Sequence, residues 1–275
     1  MLAVAIIVFR EVVEAALVVS VVLAASLGVP GRTRWVSGGV GAGVMGAALV
    51  AAFTGEIAAA LDGIGQELFN ACVLFGAVAM LGWHNVWMHR HGRELAAQAR
   101  SVGAAVRAGA RPLYVLAFVV GLAVLREGSE VVLFVYGIAV AQGTRAATLL
   151  AGGALGLAGG VALGAALYYG LLSIPLKHLF SVTSVIVLLL AAGMAAQGAA
   201  FLMQADLVPP LGGQVWDTSR FLTEQSLLGQ LLHVLVGYVA RPTGIQLVFY
   251  LGTLAVIGGL MLSVGRRRRV VRAVA

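Results

Sequence analysis

Seven apolar runs, at 2–27, 36–60, 66–88, 113–140, 146–172, 179–203 and 245–264, divide the chain, and its charged residues fall mostly between them. A helix needs about 20 apolar residues to cross the hydrocarbon core of a bilayer. The pattern therefore predicts an all-α, polytopic membrane protein with seven transmembrane helices. Two runs depart from it. The first carries Arg10-Glu11-Val12-Val13-Glu14 and the fourth carries Arg126-Glu127-Gly128-Ser129-Glu130, one R-E-x-x-E pattern used twice. A charge near the bilayer centre costs roughly 2.5–3.5 kcal/mol even on lenient insertion scales, so these side chains must face the protein interior and find partners there.

The two motifs belong to a longer repetition. Arg10 and Arg126 are 116 residues apart, and each motif helix is followed by a glycine-rich run: Gly38, Gly39, Gly41, Gly43 and Gly46 in one case, Gly152, Gly153, Gly156, Gly159, Gly160 and Gly164 in the other. The third and sixth runs both open on Leu-Phe, at Leu68-Phe69 and Leu179-Phe180. Three helices per unit is an odd number, so the second unit is expected upside down relative to the first. Inverted repeats are a common plan of secondary transporters, whose site lies near the midplane where the repeats meet. At ~1.5 Å rise per residue, both motifs lie roughly 15 to 20 Å from the same membrane face. The expected division is 1–90 for the first three-helix repeat, 91–112 for a basic cytoplasmic loop and 113–203 for the second repeat. An outer loop with a short amphipathic helix follows over 204–244, then a seventh helix and basic tail over 245–275.

Charge sets the orientation. With the N-terminus outside, thirteen of the eighteen Lys and Arg residues fall on the cytoplasmic side, three fall outside and two are the motif arginines. The positive-inside rule thus gives N-out, C-in. This accounts for a net charge of +7 without a nucleic-acid partner. Composition agrees, with 61% hydrophobic and 11% charged residues and a mean hydropathy of +1.01, which excludes a soluble globular class. The start of the chain lacks a basic signal-peptide region and is expected to remain as the first helix. A single cysteine, Cys72, leaves no internal disulfide or cysteine metal cluster.

Residues three and four apart share a helix face, so Glu11 projects with Glu14 and Glu127 with Glu130, while Arg10 reaches Glu14 and Arg126 reaches Glu130. Four carboxylates and two guanidiniums carry a formal charge of −2, a grouping that a multivalent cation would compensate. Carboxylate oxygens suit hard cations such as Fe(III), Mg and Mn. The methionines are scattered, which argues against a copper route. Of the histidines only His84 lies within a helix, where a hydrogen-bonded structural role is expected. Packing alone is a poor account of two buried ion pairs and two further carboxylates, because apolar residues pack better. Outer acids, Glu56, Asp62, Glu67 and Asp217 among them, form a candidate capture region.

Two R-E-x-x-E motifs in the first and fourth of seven helices resemble the oxidase-dependent high-affinity iron permease family, and the length is similar to its bacterial Efe-type branch. Val215-Trp216-Asp217-Thr218-Ser219, Leu227-Leu228-Gly229-Gln230 and Gly237-Tyr238 resemble the bacterial members as well. The likeness covers nearly the whole chain, although the acidic outer motif of fungal members is not found in it. The resemblance implies a permease of the cytoplasmic (inner) membrane and no enzyme. Its substrate would be iron, taken as ferric iron after external oxidation, with no organic cofactor. Glu11, Glu14, Glu127 and Glu130 would be the metal ligands, and Arg10 and Arg126 their charge partners. It also implies membrane lipid, a periplasmic iron-binding protein and a haem peroxidase as partners. Lead, manganese or a small organic cation carried with protons are the alternative substrates. An intramembrane enzyme would need a nucleophile or a metal-histidine set, for which the chain offers Ser129 and His84.

Overall fold

The apolar runs become helices in the computed structural model, which describes residues 1–60, 66–169, 176–224 and 226–274. Among them the chain forms eight helices and no strand: α1 (Leu2–Ala25), α2 (Arg32–Ala60), α3 (Gln66–Arg107), α4 (Tyr114–Gln142), α5 (Ala146–Tyr168), α6 (Leu176–Gln204), α7 (Leu227–Val236) and α8 (Gly244–Val274). Five are long and apolar enough to cross a membrane, over Arg32–Phe53, Glu67–Met88, Ala146–Tyr168, Phe180–Gln204 and Gly244–Ser263. The remaining long helices, α1 and α4, match them in length, and each carries an arginine and two glutamates in its middle.

Polarity is arranged inside out. Phe53, Trp83 and Leu150 are 69%, 74% and 73% exposed, whereas Arg10 and Glu11 are 2% and 1% exposed. Water would not tolerate that surface, and lipid requires it. The chain is a multi-pass membrane protein.

Residues 91–112, expected as a basic loop, instead continue α3 as helix to Arg107. The stretch is rich in Ala, Gln and Arg, which favour helix, and Ala99 and Val106 are buried on neighbouring helices. Gly109, at φ 72°, and Pro112 then separate α3 from α4. At ~1.5 Å per residue, the 42-residue α3 is about 63 Å long. That exceeds the roughly 40–45 Å of a whole bilayer.

The long helices pair in a crossed manner. α1 packs on α5 and α2 on α4, while α1, α3, α4 and α6 meet in the middle and α8 closes against α6 and α3. Two apolar clusters fill this centre. One joins Val4, Ile7 and Val8 of α1 to Leu74 and Leu81 of α3, Phe134 and Ile138 of α4, and Leu190 and Met194 of α6. The other joins Val22 of α1, Val36 of α2, Ala99 and Val106 of α3, and Leu116 and Val120 of α4. Along α1, α3 and α4 alike, the residues between the two clusters are the polar ones.

A buried carboxylate centre

The charged residues of α1 and α4 converge between those clusters. Arg10 donates from Nε to Glu14 Oε1 at 3.0 Å and stands 4.0 Å from Glu11 Oε1. On α4 the same spacing gives the same contacts, with Arg126 Nε donating to Glu130 Oε1 at 3.2 Å and lying 3.7 Å from Glu127 Oε1. Helical periodicity alone accounts for both pairs, since i and i+4 stand one above the other.

The arginines differ in setting. Arg10 is fully enclosed, while a third of the Arg126 side chain is accessible. The Arg126 guanidinium also lies over the ring of Trp87, 4.2 Å from its centroid, which stabilises a cation that is only partly enclosed by carboxylates.

α3 contributes the residue that joins the two motifs. His84, 2% exposed, places Nε2 3.5 Å from both Glu11 Oε2 and Glu14 Oε2 and sets Nδ1 against Glu130 Oε2. Phe134 packs edge-on to its ring, with centroids 6.4 Å apart. The next residue, Asn85, anchors this level of α3 by donating to the Ser184 carbonyl at 3.0 Å. His84 was expected as a structural histidine because a lone histidine in an apolar helix gives no local sign of what it faces. Its signal in the sequence was only its isolation, as the one histidine well inside a spanning run.

Glu11, His84, Glu127 and Glu130 each offer a ligand atom within 4.8 Å of one another, and all four are buried. Glu14 stays beside them, with one oxygen on Arg10 and the other turned toward His84. Among the described residues, the Oε2 atoms of Glu11, Glu14 and Glu127 have no hydrogen-bond partner. A buried carboxylate oxygen without a hydrogen bond is costly, and a cation bound among several of them would relieve that cost. Oxygen-rich sets of this kind hold metal ions.

Of the outer acids, Glu67 and Asp217 do not join the centre. Glu67 is exposed in the first turn of α3, roughly 25 Å along the helix from His84. Asp217 accepts from the Ser219 backbone at 2.9 Å and pairs with Arg241 Nε at 3.2 Å. Hydrogen bonds from Ser219, then Arg241, hold its carboxyl below the usual range. Asp62 and the side chain of Glu56 lie outside the described residues. Within reach of the first apolar cluster, a cavity of about 30 Å³ is lined by Ile138, Leu190 and Met194 of that cluster and by Gln197, His233 and Gly237.

Comparison with known proteins identifies the family of the chain as a whole. A family model described as the iron permease FTR1 family matches residues 1–270. The chain is 34% identical over 242 residues to the ferrous iron permease EfeU of Escherichia coli O6:H1 strain CFT073, covering 86% of each protein. It is 31% identical over 249 residues to the ferrous iron permease EfeU of Yersinia pestis, covering 89% of this chain and 87% of the relative. No solved structure matches it.

Proposed function

The chain belongs to the iron permease FTR1 family, and from that premise we propose that it imports iron across the inner membrane through the centre formed by the two R-E-x-x-E motifs. One observation carries the assignment: four carboxylates from two helices are buried together against two guanidiniums, with the Oε2 atoms of Glu11, Glu14 and Glu127 lacking hydrogen-bond partners. In this reading Glu11, Glu14, Glu127 and Glu130 take the metal. Arg10 and Arg126 hold the carboxylates in place by hydrogen bonds of 3.0 and 3.2 Å. Glu11, Glu127 and Glu130 place ligand atoms within 4.8 Å of one another, a spacing that suits a bare ion better than an organic cation. Lead and manganese stay as competitors to be ranked by uptake.

The proposed architecture is seven transmembrane helices, α1 to α6 and α8, oriented N-out and C-in, with α1–α3 and α4–α6 as inverted repeats. The crossed pairing supports the repeats, because exchanging the units turns the α1–α5 contact into the α4–α2 contact. Apolar clusters above and below the centre close it on both sides, which corresponds to an occluded state. Transport then requires the cluster around Ile7 and Phe134 to open outward and the cluster around Val22 and Val120 to open inward, in alternation. The cavity beside α7 lies on the outward route. The cation would travel as ferric iron formed at the outer face by one-electron oxidation, the electron passing to peroxide through the haem peroxidase partner, with ferrous iron, the ion in the relatives' names, as the form present in the medium.

The test is accumulation of radioactive iron by cells that lack their own iron importers and express this chain. Iron-dependent accumulation above the empty-vector level is expected, and its absence with periplasmic partners supplied would contradict the reading. Uptake that persists unchanged in ascorbate without oxygen would assign ferrous iron in place of ferric.

A further inference from the structure

We infer that His84 is itself a metal ligand, through Nε2, and that it gives the carboxylate centre a preference for transition-metal cations over Mg²⁺ and Ca²⁺. The inference rests on the proposed reading of that centre as a cation site. It starts from how the imidazole is held. Nδ1 lies against Glu130 Oε2, and the other oxygen of Glu130 is fixed by Arg126 at 3.2 Å. The ring therefore cannot rotate without breaking a chain of contacts that runs through α4.

That fixation aims Nε2 at Glu11 Oε2 and Glu14 Oε2, each 3.5 Å away. The separation exceeds the 2.7–3.2 Å of an ordinary hydrogen bond, and among the described residues none of the three atoms makes a hydrogen bond of ordinary geometry. It is, however, a ligand-to-ligand spacing. With metal–nitrogen and metal–oxygen bonds of about 2.0–2.2 Å, neighbouring donors around one ion stand roughly 3.0–3.6 Å apart. One cation can touch all three atoms with little movement of the helices that carry them. Glu127 approaches from the opposite motif, since its ligand atom lies within 4.8 Å of those of Glu11 and His84.

A carboxylate on the ring nitrogen remote from the metal is the usual support of a ligating histidine, because it orients the ring and raises its basicity. Glu130 occupies that position with both oxygens engaged, by His84 and by Arg126. In this inference the ligands are therefore Glu11, Glu14, Glu127 and His84, and Glu130 is a positioning residue in place of the ligand role given it above. The consequence is selectivity. An all-oxygen site suits Mg²⁺, Ca²⁺ and Mn²⁺, whereas imidazole adds affinity for iron, zinc, nickel and copper. Mg²⁺ also surrenders its water reluctantly, and a buried cage with one nitrogen donor compensates it poorly.

The experiment has two arms, uptake by cells and pulsed electron paramagnetic resonance of Mn²⁺ bound to the purified full chain. In cells, His84→Gln is expected to weaken iron uptake at least tenfold in apparent affinity and to make it sensitive to excess Mg²⁺ and Ca²⁺. In the purified parent protein, bound Mn²⁺ is expected to show nitrogen modulation that His84→Gln removes. Lack of that modulation in the parent overturns the inference, whether or not the variant folds. His84→Gln with unchanged uptake, competition and spectrum overturns it as well; if Glu127→Gln abolishes uptake in the same cells, the carboxylate reading survives. Unchanged behaviour in both variants removes the inference and the reading together.

Discussion

Gly39 of α2 meets Ala117 of α4 so closely that a methyl group placed on it would stand 2.5 Å from the Ala117 carbonyl oxygen. Gly156 of α5 has the same relation to Ala5 of α1. These backbone-to-backbone contacts hold the motif helices, and their glycines are needed for approach rather than for a turn.

Gly39→Leu and Gly156→Leu are accordingly expected to force the helices apart and to destabilise the protein by about 1–3 kcal/mol or more. Thermal melting of the detergent-purified protein would show this as a lower midpoint. Gly153, with no atom within 4 Å of a built methyl group, serves as the control, and Gly153→Ala should leave the midpoint unchanged.

The two motif arginines should differ in cost. Arg10 is enclosed, so Arg10→Leu leaves buried carboxylates uncompensated and is expected to cost on the order of 3–5 kcal/mol. Arg126 is a third accessible, and Glu130, the carboxylate it holds, keeps its contact with His84 when the arginine is removed. Arg126→Leu should therefore melt at a higher temperature than Arg10→Leu, although both lose transport. A lower midpoint for Arg126→Leu would contradict this ranking.

Alternating access predicts opposite labelling of the two apolar clusters. In a Cys72→Ser background, a thiol reagent should reach Ile138→Cys in the outward-open state and Val120→Cys in the inward-open state. Conditions that raise one rate should lower the other. Simultaneous labelling of both positions would indicate a continuous pore instead.

The spanning runs and the motif spacing were readable because each depends on local periodicity: apolar length gives the helices, and i,i+4 geometry gives the Arg10–Glu14 and Arg126–Glu130 pairs. His84 was not readable as part of the centre, because its partners come from α1 and α4 and nothing in α3 encodes which helices it will face. The extension of α3 was obscured by charge. Arg93, Arg100 and Arg107 mark a stretch as a loop at a membrane boundary, while helix-forming neighbours and the burial of Ala99 and Val106 keep it helical. The pairing of α1 with α5 rather than with α2 is likewise tertiary, set by which glycine face meets which helix. Asp217 illustrates the reverse case, an acid singled out by position whose oxygens are engaged by Ser219 and Arg241.

The central claim is that the buried carboxylates handle the transported metal, and Glu127→Gln addresses it most directly. Glu127 is buried, and its Oε2 has no hydrogen-bond partner, so the amide removes charge with little change in shape. Radioactive iron uptake should be compared between the parent chain and this variant at equal membrane levels, in cells without other iron importers. The account predicts uptake by the parent and loss of at least about two orders of magnitude in the variant, a deficit near 2.7 kcal/mol. Equal uptake by both would contradict it and leave the paired motifs as helix packing.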